Sequence, residues 1–167
     1  TATLPLPYNS VVKYRYLRTG PSQVFEDSSL GTAIRYRLRV VSGPAEIQDI
    51  IADWGDKNFT RATGSILGQV FNSDTNTPLP NILMSAGGVQ FITDSLGRFE
   101  LSGLPTGTQQ LVAYSLDGLY LPFQQGAVVE GNKHTIVDLR IKPTRIVRVT
   151  FIVAVPADTS IGVPVRS

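Results

Sequence analysis

The sequence predicts an all-β protein built as tandem β-sandwiches, and three observations predict it. The β-forming residues Val, Ile and Thr number 44 against 10 Ala, while 15 Gly and 11 Pro supply turns. Two segments near the start alternate polar and apolar residues with a period of two. From Gly64 onward, short β-prone runs recur between turn signals at the spacing of a sandwich.

The first alternating segment is Val11–Arg18, with Val12, Tyr14, Tyr16 and Arg18 on one face and Val11, Lys13, Arg15 and Leu17 on the other. The second, Ile34–Val40, places Ile34, Tyr36, Leu38 and Val40 inward and Arg35, Arg37 and Arg39 outward, as a solvated row guarding the sheet. As antiparallel neighbours the two would bury tyrosine and aliphatic side chains together. Residues 42–56 carry two readings. Ile47, Ile50, Ile51 and Trp54 have the i, i+3, i+4, i+7 spacing of a short amphipathic helix begun near Pro44, and a strand ending near Trp54 is the alternative. Residues 57–63 have mixed charge and no period, and are expected to link two units.

Six strands are expected beyond the linker: Ser65–Phe71, Asn81–Ala86, Val89–Thr93, Arg98–Ser102, Gln109–Ser115 and Lys133–Lys142. After Pro143, the run Val147–Val155 is long and strongly β-prone, ends at Pro156, and has no hairpin partner following it.

Composition narrows the chemistry. A chain of 167 residues with 42% hydrophobic residues and no cysteine buries an ordinary core without disulfides or thiolate metal ligands. A net charge of +2 from 15 basic and 13 acidic residues offers no basic patch for nucleic acid. No apolar run approaches the roughly 18 residues of a helical membrane span. The chain begins at Thr1 with no signal region behind it, which fits a processed chain or an excised piece.

Residues 64–142 resemble the carboxypeptidase regulatory-like domain, a transthyretin-like seven-stranded sandwich. The resemblance rests on Gly68-Gln69-Val70, Pro78-Leu79-Pro80-Asn81-Ile82, Thr93-Asp94-Ser95-Leu96-Gly97-Arg98-Phe99, Gly103-Leu104-Pro105-Thr106-Gly107 and Gly118. It implies a non-catalytic spacer or adhesion-like module on secreted proteins. A surface-protein relative of that sandwich carries a Lys–Asn isopeptide staple, but residues 64–132 contain no lysine, so none is expected.

Residues 1–56 resemble the carboxy-terminal part of a starch-binding-like sandwich, through Leu6-Pro7, Val11–Tyr16, Phe25-Glu26, Arg35, Asp49 and Trp54. Residues 143–167 resemble the beginning of the same sandwich, through Val149–Pro156 and Gly162–Val165. A half-sandwich exposes an apolar face and an unpaired edge, so a complement is required. It comes from the last strand of the same chain, from a neighbouring copy, or from a longer tandem array. The expected function is a non-catalytic extracellular or cell-surface module of a repetitive, filament-like assembly, joined by strand complementation through Val147, Val149, Phe151, Val153 and Val155.

The starch-binding resemblance also implies glycan contacts at Lys13, Phe25 and Glu26, with Phe25 where that family has Trp and Ile34 where it has Asn. An α-glucan-binding accessory module of a secreted enzyme is therefore the alternative, and a substrate-positioning accessory domain of a peptidase is a third class. For Phe25 the competing expectation is packing against Tyr14 or Tyr16, and for Trp54 a core or interface anchor. Catalytic residues, cofactors and metal ligands are not expected. The single histidine, His134, is expected to be an exposed sheet residue. Asp74, Asn76 and Asp94 are expected to form Asx turns rather than hold calcium. Gly87-Gly88 opens no helix and is not a phosphate loop. Asn58-Phe59-Thr60 has the form of a glycosylation acceptor.

Overall fold

The computed structural model describes residues 3–57, 59–150 and 152. It is all-β. In order, the strands are β1 (Val11–Tyr14), β2 (Leu17–Arg18), β3 (Val24–Asp27), β4 (Arg37–Val40), β5 (Asp53–Trp54), β6 (Thr63–Asn72), β7 (Ile82–Ala86), β8 (Val89–Ile92), β9 (Arg98–Pro105), β10 (Gly107–Ser115), β11 (Phe123–Val129), β12 (His134–Ile136) and β13 (Leu139–Ile141).

Strands β6 to β13 form two facing sheets. One has the order β11-β10-β7-β8 and is antiparallel throughout. In the other, β6 pairs antiparallel with β9 and parallel with β12 and then β13 along its opposite edge. Strands β12 and β13 are thus two halves of one position. The run expected from Lys133 to Lys142 breaks because Val137 donates to the Leu67 carbonyl and the Asp138 carboxylate accepts from the Gln69 amide. Alternation along the strands fills the space between the sheets with Ile66, Val70, Phe99, Leu101, Leu104, Leu139 and Ile141 from one side, and Ile82, Met84, Leu111, Ala113 and Val129 from the other.

Strand β7 is buried at all five positions. Ile82, Met84 and Ala86 face the other sheet, whereas Leu83 packs with Val112 and Leu38 in a second cluster. A strand apolar on both faces needs cover on both faces. The outer cover comes from the amino-terminal residues, where β1 and β4 pair antiparallel with Val11 opposite Val40 and Tyr14 opposite Arg37. Val11, Tyr36 and Val40 close over Leu83, Val112 and Tyr114. Polar contacts fix the seat. The Gln124 side-chain amide both accepts from the Val40 N–H (3.0 Å) and donates to the Val40 carbonyl (2.8 Å), in the manner of a neighbouring strand. Gln90 donates to the Tyr36 carbonyl and Arg39 to Gln110. At Gly88, with φ +86°, a Cβ would lie 2.6 Å from an Ile34 methyl, so only glycine lets that turn and Ile34 meet.

A separate three-stranded sheet, β2-β3-β5, lies beyond β1 and β4 in the same amino-terminal part. Three sequence expectations are corrected there. No helix forms over residues 42–56; of the two readings the strand ending at Trp54 holds, as β5, because the polar and apolar groups of the stretch before it are claimed by tertiary partners. Asp49 is bound by two tyrosines, the Ile50 carbonyl accepts from Arg37, and the Ile50 side chain meets Gly107. The Val11–Arg18 run is two strands rather than one. Arg37 is not on a solvated row but buried, since β4 is covered on both sides. Strand β11 has no counterpart among the expected strands. Asn58, Phe151 and residues 153–167 lie outside the described residues.

Candidate functional site

The polar centre of the amino-terminal part forms around β3 and β4. Glu26 is fully buried, and its carboxylate takes a fork of bonds from the Arg37 guanidinium, Nη2 to Oε2 at 2.7 Å and Nε to the two oxygens at 3.0 and 3.2 Å. The Tyr16 backbone N–H donates to Glu26 Oε1 at 2.9 Å. Arg37 also lies 3.7 Å from Asp49, whose Oδ2 accepts from the Tyr14 hydroxyl at 2.7 Å and the Tyr16 hydroxyl at 2.9 Å. The two tyrosine rings meet edge to face at 5.9 Å. Among the described residues no buried side-chain polar atom lacks a hydrogen-bond partner, which is what makes a buried charge pair tolerable.

Burial, reinforced by the bond to Asp49, raises the Tyr14 phenol and pushes the Tyr16 phenol up to about 12. Burial acts against the Arg37 charge, yet the Glu26 bond and the flanking carboxylates hold it more firmly protonated than usual. The consequence for stability has a definite sign. Below pH 10, Tyr16 is protonated both folded and unfolded. Above it the unfolded chain ionises first, so stability is expected to hold to about pH 10 and fall between there and about 12. Urea unfolding across that range checks it, and Tyr16→Phe is expected to soften the fall.

This centre relocates one predicted glycan contact. The expectation that Glu26 touches a ligand is corrected: its carboxylate is spent on Arg37 inside the fold. Phe25, the adjacent residue, points to the opposite face and is 39% exposed. Its ring is covered by the Arg15 guanidinium, 3.6 Å from the centroid, and not by Tyr14 or Tyr16. Lys13 is exposed on β1 and sits 4.9 Å from the Tyr36 ring. The structure therefore does not bring Lys13, Phe25 and Glu26 to one surface. Trp54 is half-buried on the face of Glu26, with Arg18 at 5.4 Å from its ring.

A second feature of the same part is a trough of ≈ 430 Å3 between the arm Thr3–Tyr8 and the loop that follows β4. Its walls carry Leu4, Leu6 and Tyr8 on one side and Val41, Pro44 and Ile47 on the other. Leu4, Leu6, Tyr8 and Ile47 are all exposed. Among the described residues, Leu4, Leu6 and Tyr8 make no backbone hydrogen bond. The sequence signal for this arm is the alternation Leu4-Pro5-Leu6-Pro7-Tyr8, of which only Leu6-Pro7 enters the family resemblance.

At the other end, the chain leaves the sandwich at Thr144, whose amide and hydroxyl donate to the Leu119 and Gly118 carbonyls. Beyond it Ile146, Val147 and Val149 are 78%, 70% and 64% exposed and belong to no strand. Of the expected assembly residues, Val147 and Val149 are described; Phe151, Val153 and Val155 lie outside the described residues.

The remaining candidates are structural. His134 is exposed on β12 and its Nδ1 meets the Ser65 hydroxyl at 2.5 Å across the parallel pairing. The Asp94 carboxylate accepts from the Leu96 and Arg98 amides in an Asx turn as expected, but in the other loop the turn is made by Asn72, which accepts from the Asp74 and Thr75 amides, while Asp74 accepts from the Ser73 hydroxyl and Asn76 from Arg140. The backbone bonds from Arg98, helped by its guanidinium, hold Asp94 below the usual carboxylate range. Among the described residues no helix is long and apolar enough to cross a membrane, and no three His, Asp or Glu side chains gather as metal ligands do.

The sequence matches no family model and no curated protein. Several solved structures align with parts of the chain. A candidate carbohydrate-binding protein of Bacteroides uniformis aligns at 17% identity and a TM-score of 0.37, over 47% of this chain and 41% of its own. The minor pilin GBS52 of Streptococcus agalactiae aligns at 18% identity and 0.40, over 55% of this chain and 49% of its own. The 5-hydroxyisourate hydrolase of Klebsiella pneumoniae aligns at 19% identity and 0.36, over 49% of this chain and 92% of its own. The chain spans less than half the length of the first two.

Proposed function

We propose that this chain is a non-catalytic structural module of a repetitive extracellular or cell-surface assembly, in which the segment after Thr144 joins one copy to the next by strand complementation. Residues 1–56 act as the receiving part, residues 64–142 as the rigid spacer, and residues 143–167 as the donor. The observation that carries the reading is the exposure of Ile146, Val147 and Val149 on chain that has left the sandwich and, among the described residues, pairs with no strand of its own copy. Apolar, β-branched residues held open to water favour any edge that will accept them.

Polysaccharide binding by Lys13 and Phe25 has less support, because Glu26 faces inward and Arg15 already lies on the Phe25 ring. The direct test is electron microscopy of the purified chain with mass per unit length, beside a chain ending at Thr144. Regular fibres with a repeat of one chain are expected from the full sequence, and monomers from the shortened one. Monodisperse full-length chain at high concentration would refute the assembly.

A further inference from the structure

We infer that the trough beside the Leu4–Tyr8 arm is the receiving site, and that its occupant is the Val147–Val155 segment of a second copy, added as a strand along the arm. The inference rests on the assembly reading above and names where the joint is made.

The arm decides which of its edges can be used. In an extended chain, alternate residues turn their N–H and C=O groups to the same side. Leu4, Leu6 and Tyr8 therefore share one edge, and Pro5 and Pro7 share the other, where they supply no donor. Strand addition is confined to the edge whose amides and carbonyls make no bond among the described residues. The side chains of the same three residues line the trough, so a strand pairing there also lays its own side chains against Leu4, Leu6 and Tyr8, with Val41, Pro44 and Ile47 across from them.

The donor fits in length and pattern. Five residues of arm span about 16 Å, which a strand of equal length covers, and Val149, Phe151 and Val153 repeat the period of Leu4, Leu6 and Tyr8. A second copy is favoured over the same chain because residues 145–150 are described and their apolar side chains stand in water rather than in their own trough. Over the paired stretch the arm Thr3–Tyr8 and the run Val149–Val155 contain no ionisable group other than Tyr8, while Arg148 of the donor and Arg39 of the trough lining are the charges at the contact.

The absence of cysteine gives a clean test. A Leu6→Cys chain is mixed with a chain carrying Val149→Cys, Phe151→Cys or Val153→Cys, and oxidised under mild conditions. A disulfide between the two different chains is expected for at least one pairing, and none when Leu116→Cys, exposed in the turn after β10, replaces the donor cysteine. A Leu6→Asp chain is expected to associate about ten- to hundred-fold more weakly by sedimentation equilibrium, the loss that follows from failing to bury one leucine. A Leu116→Asp chain is expected to associate normally. If assemblies form but neither Leu6 variant responds, the joint lies elsewhere while the assembly reading stands. If a chain bearing both Leu6→Cys and a donor cysteine closes only on itself, the donor serves its own copy and this inference is overturned. If the unaltered chain never associates, both fall together.

Discussion

Replacing Glu26 by alanine is expected to lower unfolding stability by about 3–5 kcal/mol, because it strands the Arg37 guanidinium, whose side chain is only 5% exposed, without its fork of acceptors. Against a total of about 5–15 kcal/mol for an ordinary domain this is a large share. Trp54 sits directly across from Glu26 in the register of β3 and β5, so its fluorescence in urea reports the loss where it occurs. The informative partner is the double variant Glu26→Ala with Arg37→Met. Removing both leaves no buried cation without an acceptor, and Asp49 loses Arg37 but keeps its two tyrosine donors, so the double change is expected to cost less than Glu26→Ala alone. A loss below about 1 kcal/mol for the single variant would mean that water reaches the pair and that its burial is incomplete.

Gly68→Ala is the second large effect, and its cause is steric. An added Cβ would sit 1.8 Å from the Val137 carbonyl oxygen, at the break where β12 ends and β13 begins. Backbone, not a flexible side-chain tip, must move. The expected cost is about 3 kcal/mol or more, together with faster hydrogen exchange at Leu139 and Ile141, the amides registered against β6 beyond the break. Gly126→Ala is the control: its Cβ meets only the Thr108 methyl at 3.4 Å, and the change is expected to cost less than about 1 kcal/mol. Equal losses at the two glycines would show that the close approach at Gly68 is not what holds the two strand halves in line.

Much of the fold was legible because its strands alternate and end at turn residues. Residues 82–86, 89–92 and 98–105 each lie within or beside an expected run, and β1 pairs with β4 as the two alternating segments suggest. Strand β11 was not legible. Phe123-Gln124-Gln125-Gly126 has weak β propensity, and only the pairing of seven residues with β10 makes it a strand. Arg37 was misplaced because a period of two separates the faces of a strand without saying whether the second face is wet. Here Leu38 faces the sandwich while Arg37 faces Glu26, so both faces of β4 are inside. The helical spacing of Ile47, Ile50, Ile51 and Trp54 was real as a pattern, but Asp49 and Ile50 bind groups that an extended chain reaches. Of the candidate site, Phe25 and Glu26 are neighbours in sequence and cannot share a face on a strand, which the alternation rule alone would have separated.

The two prolines of the arm limit what can be built on it. An added strand ordinarily offers a fresh edge to the next, so one joint can propagate into a sheet that grows sideways without limit. Here the arm can be paired on one side only, since Pro5 and Pro7 leave the other side without donors. Each arm then accepts a single visitor, and a joint of this kind can widen only from the visitor's own outer edge, never from the arm.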